Sequence, residues 1–126
     1  YTKVDVERDD FIIEYVGQVI RNNMGDKREE YYDKAGVGSC YLFRLDEDCI
    51  VDATRRGHIG RFINHCCSPN AYAKTVEIGP HTRKIVIIAL KDIKAGEEVM
   101  YDYKFPIEYD KIPCYCGAPN CKGTMN

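Results

Sequence analysis

The chain has 126 residues, enough for one domain with its own hydrophobic core, and nothing in it suggests a second fold. Its 18 Lys and Arg against 20 Asp and Glu leave a formal net charge of −2, so no general field holds DNA and a basic peptide suits it better. The longest apolar run, residues 85–90, is too short to span a bilayer, and no basic-then-apolar leader is present, so neither a membrane role nor a secretory signal is expected.

A start at Tyr1 without an initiator Met is read as a piece cut from a longer protein. Residues 11–20, FIIEYVGQVI, are β-branched with one Gly, which predicts a buried strand, a tight bend and a second strand. Residues 25–36 predict a short helix between Gly residues, with Lys27, Arg28, Glu29 and Glu30 on its solvated face. CYLFRL and CIVDA read as two strands across the acidic turn at residues 46–48, and their Cys40 and Cys49 as small buried apolar groups. Residues 55–63 suit one or two helical turns, and His58 and His81, near turn residues, are expected at the surface. AYAKTVEI, the turn GPHT and RKIVIIAL then predict a hairpin. Residues 97–105, EEVMYDYKF, are the last strand candidate, in which Tyr101 and Tyr103 fall two apart and would share a face. The fold class read from this pattern is mainly β with short helices, one helical insert and a metal-tied end.

The seven Cys are an odd number, and three crowd the aperiodic tail CYCGAPNCKGTMN, which argues for metal ligation in a reducing compartment over disulfides. Cys114, Cys116 and Cys121 have the spacing C-x-C-x4-C, with Gly117 and Pro119 as turn residues that let three thiolates surround one tetrahedral ion. The fourth ligand is Cys66 or Cys67, both just ahead of the Pro69 turn in RFINHCCSPN. Four thiolates leave no open position for water, so such a site is structural.

RFINHCCSPN, EEVMYDYKF and CYCGAPNCKGTMN, in that order, resemble the SET-domain protein lysine methyltransferases with a post-SET zinc motif. The likeness covers essentially the whole chain: Asn64, His65, Cys67, Pro69, Asn70, Tyr101, Tyr103 and the three tail Cys all match. GVGSCYLFRL, VDAT and YDYKFP further resemble the trithorax/MLL and COMPASS branch, whose substrate is lysine 4 of histone H3. The resemblance implies a SET fold of several small sheets with a pseudoknot-like crossing over residues 1–106, a helical insert at about 18–36, and a post-SET segment at 107–126. It implies S-adenosylmethionine and one structural Zn²⁺ as cofactors, with Cys67, Cys114, Cys116 and Cys121 as the metal ligands and Cys66 as the non-ligand. Asn64, His65, Tyr41 and Tyr115 would contact S-adenosylmethionine. Tyr103 would be the catalytic Tyr, Tyr101 would occupy the position limiting product methylation, and Tyr41 would line the site. The partners implied are the histone H3 N-terminal tail and COMPASS-like WD-repeat and SPRY-domain subunits docking on residues 18–36, with Arg21 near their start, in a nuclear, chromatin-associated setting. In two departures, Ala71 stands where many relatives carry Cys, and the family's Gly-x-Gly cofactor cradle would precede Tyr1.

Two other classes compete with an enzyme. A non-enzymatic SET-fold module would bind a histone tail or partner without turnover, which the intact Tyr41, Tyr101 and Tyr103 disfavour. A disulfide-stapled extracellular domain conflicts with the odd Cys count and the lack of a leader.

Overall fold

A computed structural model of the chain describes every residue except 38, 39, 81, 106–108 and 110. His81, and the expected boundary between 106 and 107, therefore lie outside the described residues. The elements run β1 (Phe11–Tyr15), β2 (Gln18–Arg21), α1 (Asn22–Lys34), β3 (Leu42–Arg44), β4 (Cys49–Asp52), a 3-10 turn (Ile59–Phe62), β5 (Asn64–His65), β6 (Ala71–Glu77), β7 (Arg83–Ala89) and β8 (Met100–Tyr101). They form a five-stranded sheet ordered β1-β7-β6-β8-β5 and a three-stranded sheet ordered β2-β4-β3. No helix among the described residues is long and apolar enough to cross a membrane. Two compact units arise, one from Tyr1–Ile12, Ile63–Lys74 and Ile87–Asn126, the other from Ile13–Phe62 and Thr75–Val86.

In the second unit, β4 pairs antiparallel with β2 (Ile20 opposite Ile50) and with β3 (Phe43 opposite Val51). Asp46 makes the turn between β3 and β4, its carboxylate accepting the Asp48 and Cys49 N–H groups at 2.7 Å each. The bend after β1 needs Gly17, because a Cβ there would lie 2.7 Å from the Asp52 carbonyl oxygen. Helix α1 begins three residues before the expected start and keeps Gly25 inside it. That Gly is a packing residue, facing the Ile50 side chain of β4 where a Cβ would meet it at 2.7 Å. Arg28 is not on a solvated face as expected but reaches a buried carboxylate, as the next paragraph describes. Two further expectations fail: β1 is a sheet edge with Phe11 62% exposed, and Cys40 is an exposed residue preceding β3.

Asp52 is the polar centre of this unit. Its buried carboxylate accepts the Tyr32 hydroxyl at 2.7 Å, the Arg28 guanidinium at 3.0 Å and the Thr54 N–H at 3.0 Å. Burial alone would raise its pKa, but these donors outweigh it and hold the carboxyl below the ordinary carboxylate value. A depressed folded-state pKa gives stability that is complete above the unfolded value of about 3.9 and is lost as pH falls through the folded value. Asp52→Asn should therefore lower the unfolding free energy by about 2 kcal/mol at pH 7, because the partly exposed Arg28 loses its counter-charge and the buried Tyr32 hydroxyl its charged acceptor. It should also flatten the acid limb below pH ~4. Urea melts at pH 7 and pH 3 measure both; an unchanged acid limb would place the effect elsewhere.

In the first unit, β8 lies between β5 and β6 and runs parallel to both, with Asn64 opposite Met100, His65 opposite Tyr101 and Ala71 opposite Tyr101. The later segment thus lies between two earlier strands that the 66–70 loop joins. Asn70 holds it there. Its amide oxygen accepts the Met100 N–H at 2.9 Å, its amide nitrogen donates to the Glu98 carbonyl at 2.8 Å, and its own carbonyl accepts the Leu90 N–H at 2.9 Å. Ile87 and Ala89 of this unit, and Ile85 of the other, are buried at alternate positions along β7, as its period-two pattern predicts. The turn of the β6–β7 hairpin belongs to the second unit, where the Ile78 N–H donates to the Thr82 carbonyl at 2.7 Å.

Candidate active site and metal centre

The tail has little regular structure, yet it is turned back on itself. Pro113 bridges Thr124, the Cys114 N–H donates to the Gly123 carbonyl at 2.9 Å, and the Cys121 N–H donates to the Ala118 carbonyl at 3.0 Å. Gly117 and Gly123 supply the left-handed turns, at φ +76° and +79°, that bring the thiols inward. As a result the Sγ atoms of Cys67, Cys114, Cys116 and Cys121 all lie within 4.8 Å of one another. Cys67 is 3.8 Å from Cys114 and 4.0 Å from Cys121. A tetrahedron with metal–sulfur bonds of about 2.3 Å has edges of about 3.8 Å, so the donor set fits a four-thiolate ion site. Cys66, the other candidate for the fourth ligand, is not among these four. The residue is 3% exposed, and its sulfur accepts the Ser68 N–H at 3.4 Å.

The four thiols are unequal. The Cys67 and Ala118 backbone amides pull Cys116 down to about 6, which favours its thiolate form. At Cys114 the Cys116 amide pulls downward, but burial and the neighbouring thiols outweigh it and push the group up to about 12. Thiolates this close repel, and a dication removes that repulsion while releasing the remaining thiol protons.

The aromatic cluster of the same unit centres on Tyr103. Its ring centroid lies 5.0 Å from that of Tyr101, 5.2 Å from His65 and 5.3 Å from Phe105. Tyr101, 4% exposed, ends β8; Tyr103 lies beyond the strand, so the strand alternation expected from the sequence does not explain their proximity. The chain instead leaves β8 at Tyr101, and two contacts fix Tyr103: its hydroxyl donates to the Ile63 carbonyl, and its backbone N–H donates to His65 Nδ1 at 3.1 Å. Asn64 is exposed, its side-chain amide 3.4 Å from Glu98.

Tyr41 belongs to the other unit. Its N–H donates to Thr54 Oγ1 at 2.9 Å, and its carbonyl accepts the Ala53 N–H at 2.8 Å. Its ring stands edge-on to Phe62 with the Arg61 guanidinium 5.6 Å away. Tyr115, between two of the clustered Cys, is 91% exposed. The structure thus gathers the four Cys and, adjoining them through His65 and Cys67, the side chains of His65, Tyr101 and Tyr103 within one unit. Sequence reasoning assigned no role to Asn70 or to the Ile63 carbonyl. A polar residue directly after Cys-x-Pro was a signal for the first; a backbone acceptor leaves no signal.

Residues 1–104 match the family model of the SET domain. The chain belongs to the SET domain family. Among its relatives, the Schizosaccharomyces pombe protein named histone-lysine N-methyltransferase, H3 lysine-4 specific, is 54% identical over 122 residues, covering 97% of this chain and 13% of the relative. The Drosophila melanogaster histone-lysine N-methyltransferase trithorax is 52% identical over 126 residues, covering 100% and 3%. The Homo sapiens histone-lysine N-methyltransferase SETD1A is 52% identical over 121 residues, covering 96% and 7%. The chain spans only a small part of the length of these curated relatives, so it corresponds to one region of much longer proteins.

Proposed function

We propose that this SET domain transfers a methyl group from S-adenosylmethionine to lysine 4 in the N-terminal tail of histone H3. The observation that supports this best is the identity of more than half along nearly the whole domain to relatives whose names specify histone-lysine, and in one case H3 lysine-4, methyl transfer. When bound, S-adenosylmethionine supplies a methyl group on a sulfonium. The chain's own side chains then have two tasks, to orient the lysine amine and to keep it unprotonated. A free lysine has a pKa of about 10.4, and an apolar, aromatic-walled channel lowers it by desolvation. Tyr103 is suited to the orienting role because its hydroxyl proton is committed to Ile63, which makes the phenol oxygen an acceptor toward an approaching amine. Tyr101, packed beside it, would restrict the room around that amine. On this reading Tyr41, Asn64, His65 and Tyr115 contribute cofactor contacts, and residues 107–126 form a tail that one Zn²⁺ ties through Cys67, Cys114, Cys116 and Cys121. WD-repeat and SPRY-domain subunits docking on the 18–36 insert, and a nuclear location on chromatin, complete the proposal.

Methyl transfer to an H3 tail peptide, followed by mass spectrometry, tests the reading in a chain extended upstream. The non-enzymatic alternative requires peptide binding without turnover. A further result follows for Tyr101. A lysine that already carries a methyl group needs space to turn its lone pair toward the donor, so Tyr101→Phe should shift products toward di- and trimethyl-lysine. A difference of about 1.4 kcal/mol, within the range of one hydrogen bond, changes that ratio tenfold. Identical product distributions from parent and variant would remove Tyr101 from this role.

A further inference from the structure

We propose that His65 is a positioning residue that ties the Cys67 sulfur of the metal centre to the backbone of Tyr103, so that metal occupancy is felt at Tyr103. The inference rests on the reading of the four Cys as a metal site. A backbone amide can only donate, so the Tyr103 N–H at 3.1 Å from His65 Nδ1 requires that nitrogen to be unprotonated. The ring proton then resides on Nε2, which lies 3.5 Å from Cys67 Sγ and donates to it. Asp102 Oδ1, 3.7 Å from Nδ1, offers the competing arrangement, but an Nδ1–H pointing there would leave the Tyr103 amide without its acceptor. That carboxylate oxygen instead accepts the Lys104 N–H at 2.9 Å.

The imidazole has little freedom to do otherwise. Its side chain is 4% exposed, its ring stands edge-on to Tyr103 at 69°, and its backbone is paired with Tyr101 on β8. The Cys66 N–H, donating to the Tyr101 carbonyl at 3.1 Å, pins the next residue as well. One ring thus accepts from Tyr103 and donates to Cys67, and neither bond can be kept if the other end moves far. Partners that hydrogen-bond to a metal-binding residue fix its orientation and tune its hold on the ion, typically by 10–100-fold in affinity.

Two variants divide the ring's functions. His65→Asn retains an acceptor near the Nδ1 position and loses the donor to sulfur, whereas His65→Gln retains a donor near Nε2 and loses the acceptor. In the zinc-loaded chain, His65→Asn should release metal to a chelator about 10–100-fold faster than the parent, and His65→Gln should stay near the parental rate. With Co²⁺ as the probe, the thiolate-to-cobalt charge-transfer band should move in the Asn variant and not in the Gln variant. Stripping metal from the parent should shift the Tyr103 amide ¹⁵N resonance, and in both variants, each lacking half of the link, that response should shrink. Parental release and cobalt spectra in His65→Asn, or equally fast release from both variants, would overturn the proposal. A parent that binds neither Zn²⁺ nor Co²⁺ would instead overturn the metal reading itself.

Discussion

Tyr103→Phe should lower kcat for methyl transfer to an H3 tail peptide by about 100-fold while leaving peptide binding nearly intact. On the proposed function the hydroxyl acts on the geometry of the reacting amine, and a lost orienting contact is expressed in turnover more than in affinity. The hydroxyl also donates to the Ile63 carbonyl, so its removal should lower stability by about 1 kcal/mol, or a few degrees in Tm. The ring keeps its contacts with Tyr101, His65 and Phe105, which limits the loss to that bond. Steady-state kinetics with a parallel thermal melt separate the two effects. Parental turnover in the Phe variant would show that Tyr103 is only a wall.

Cys114→Ser should release the bound metal and unfold residues 112–126, with a loss on the order of 5 kcal/mol measured against the zinc-loaded parent. The tail's own backbone bonds are too few to hold it. Apart from the Pro113–Thr124 bridge, the principal ones are Cys114 to Gly123, Cys121 to Ala118 and Met125 to Ile112. Cys66→Ser is the matched control, since that sulfur lies outside the four-thiol group and should leave zinc stoichiometry at one. Zinc content by mass spectrometry and hydrogen exchange across the tail provide the measurement. Equal zinc loss from the Cys66 variant would reassign the fourth ligand.

Elements with a local period were legible in the sequence. The hairpin of β6 and β7, the two strands across Asp46-Glu47-Asp48 and the Gly17 bend all follow from alternation and turn residues. The four-thiol group was legible as well, because spacing and parity restrict what seven Cys can do, although spacing alone left Cys66 and Cys67 open as its fourth member. What could not be read depends on partners distant in sequence. Gly25 looked like a helix boundary because its packing against Ile50 is non-local, and Arg28 looked solvated because Asp52 is 24 positions away. Residues 97–105 looked like a full strand, yet only Met100 and Tyr101 pair, since the slot between β5 and β6 admits little more.

The position of β8 also constrains how the chain reaches its native state. Strands β5 and β6 emerge from the ribosome well before Met100 and Tyr101, yet they cannot pair directly with each other in the finished sheet. Any early register that zips them together must reopen, and the loop at 66–70 must stay slack until the later segment arrives. Such non-local pairing slows folding, because loop-closure entropy is lost before the contacts that compensate for it form. The Asn70 side chain, bonded to Met100 and Glu98, acts as the latch that closes only after that arrival. Nascent chains halted before residue 100 would thus carry an open gap in the sheet, a natural target for chaperones and for mispairing with other strands.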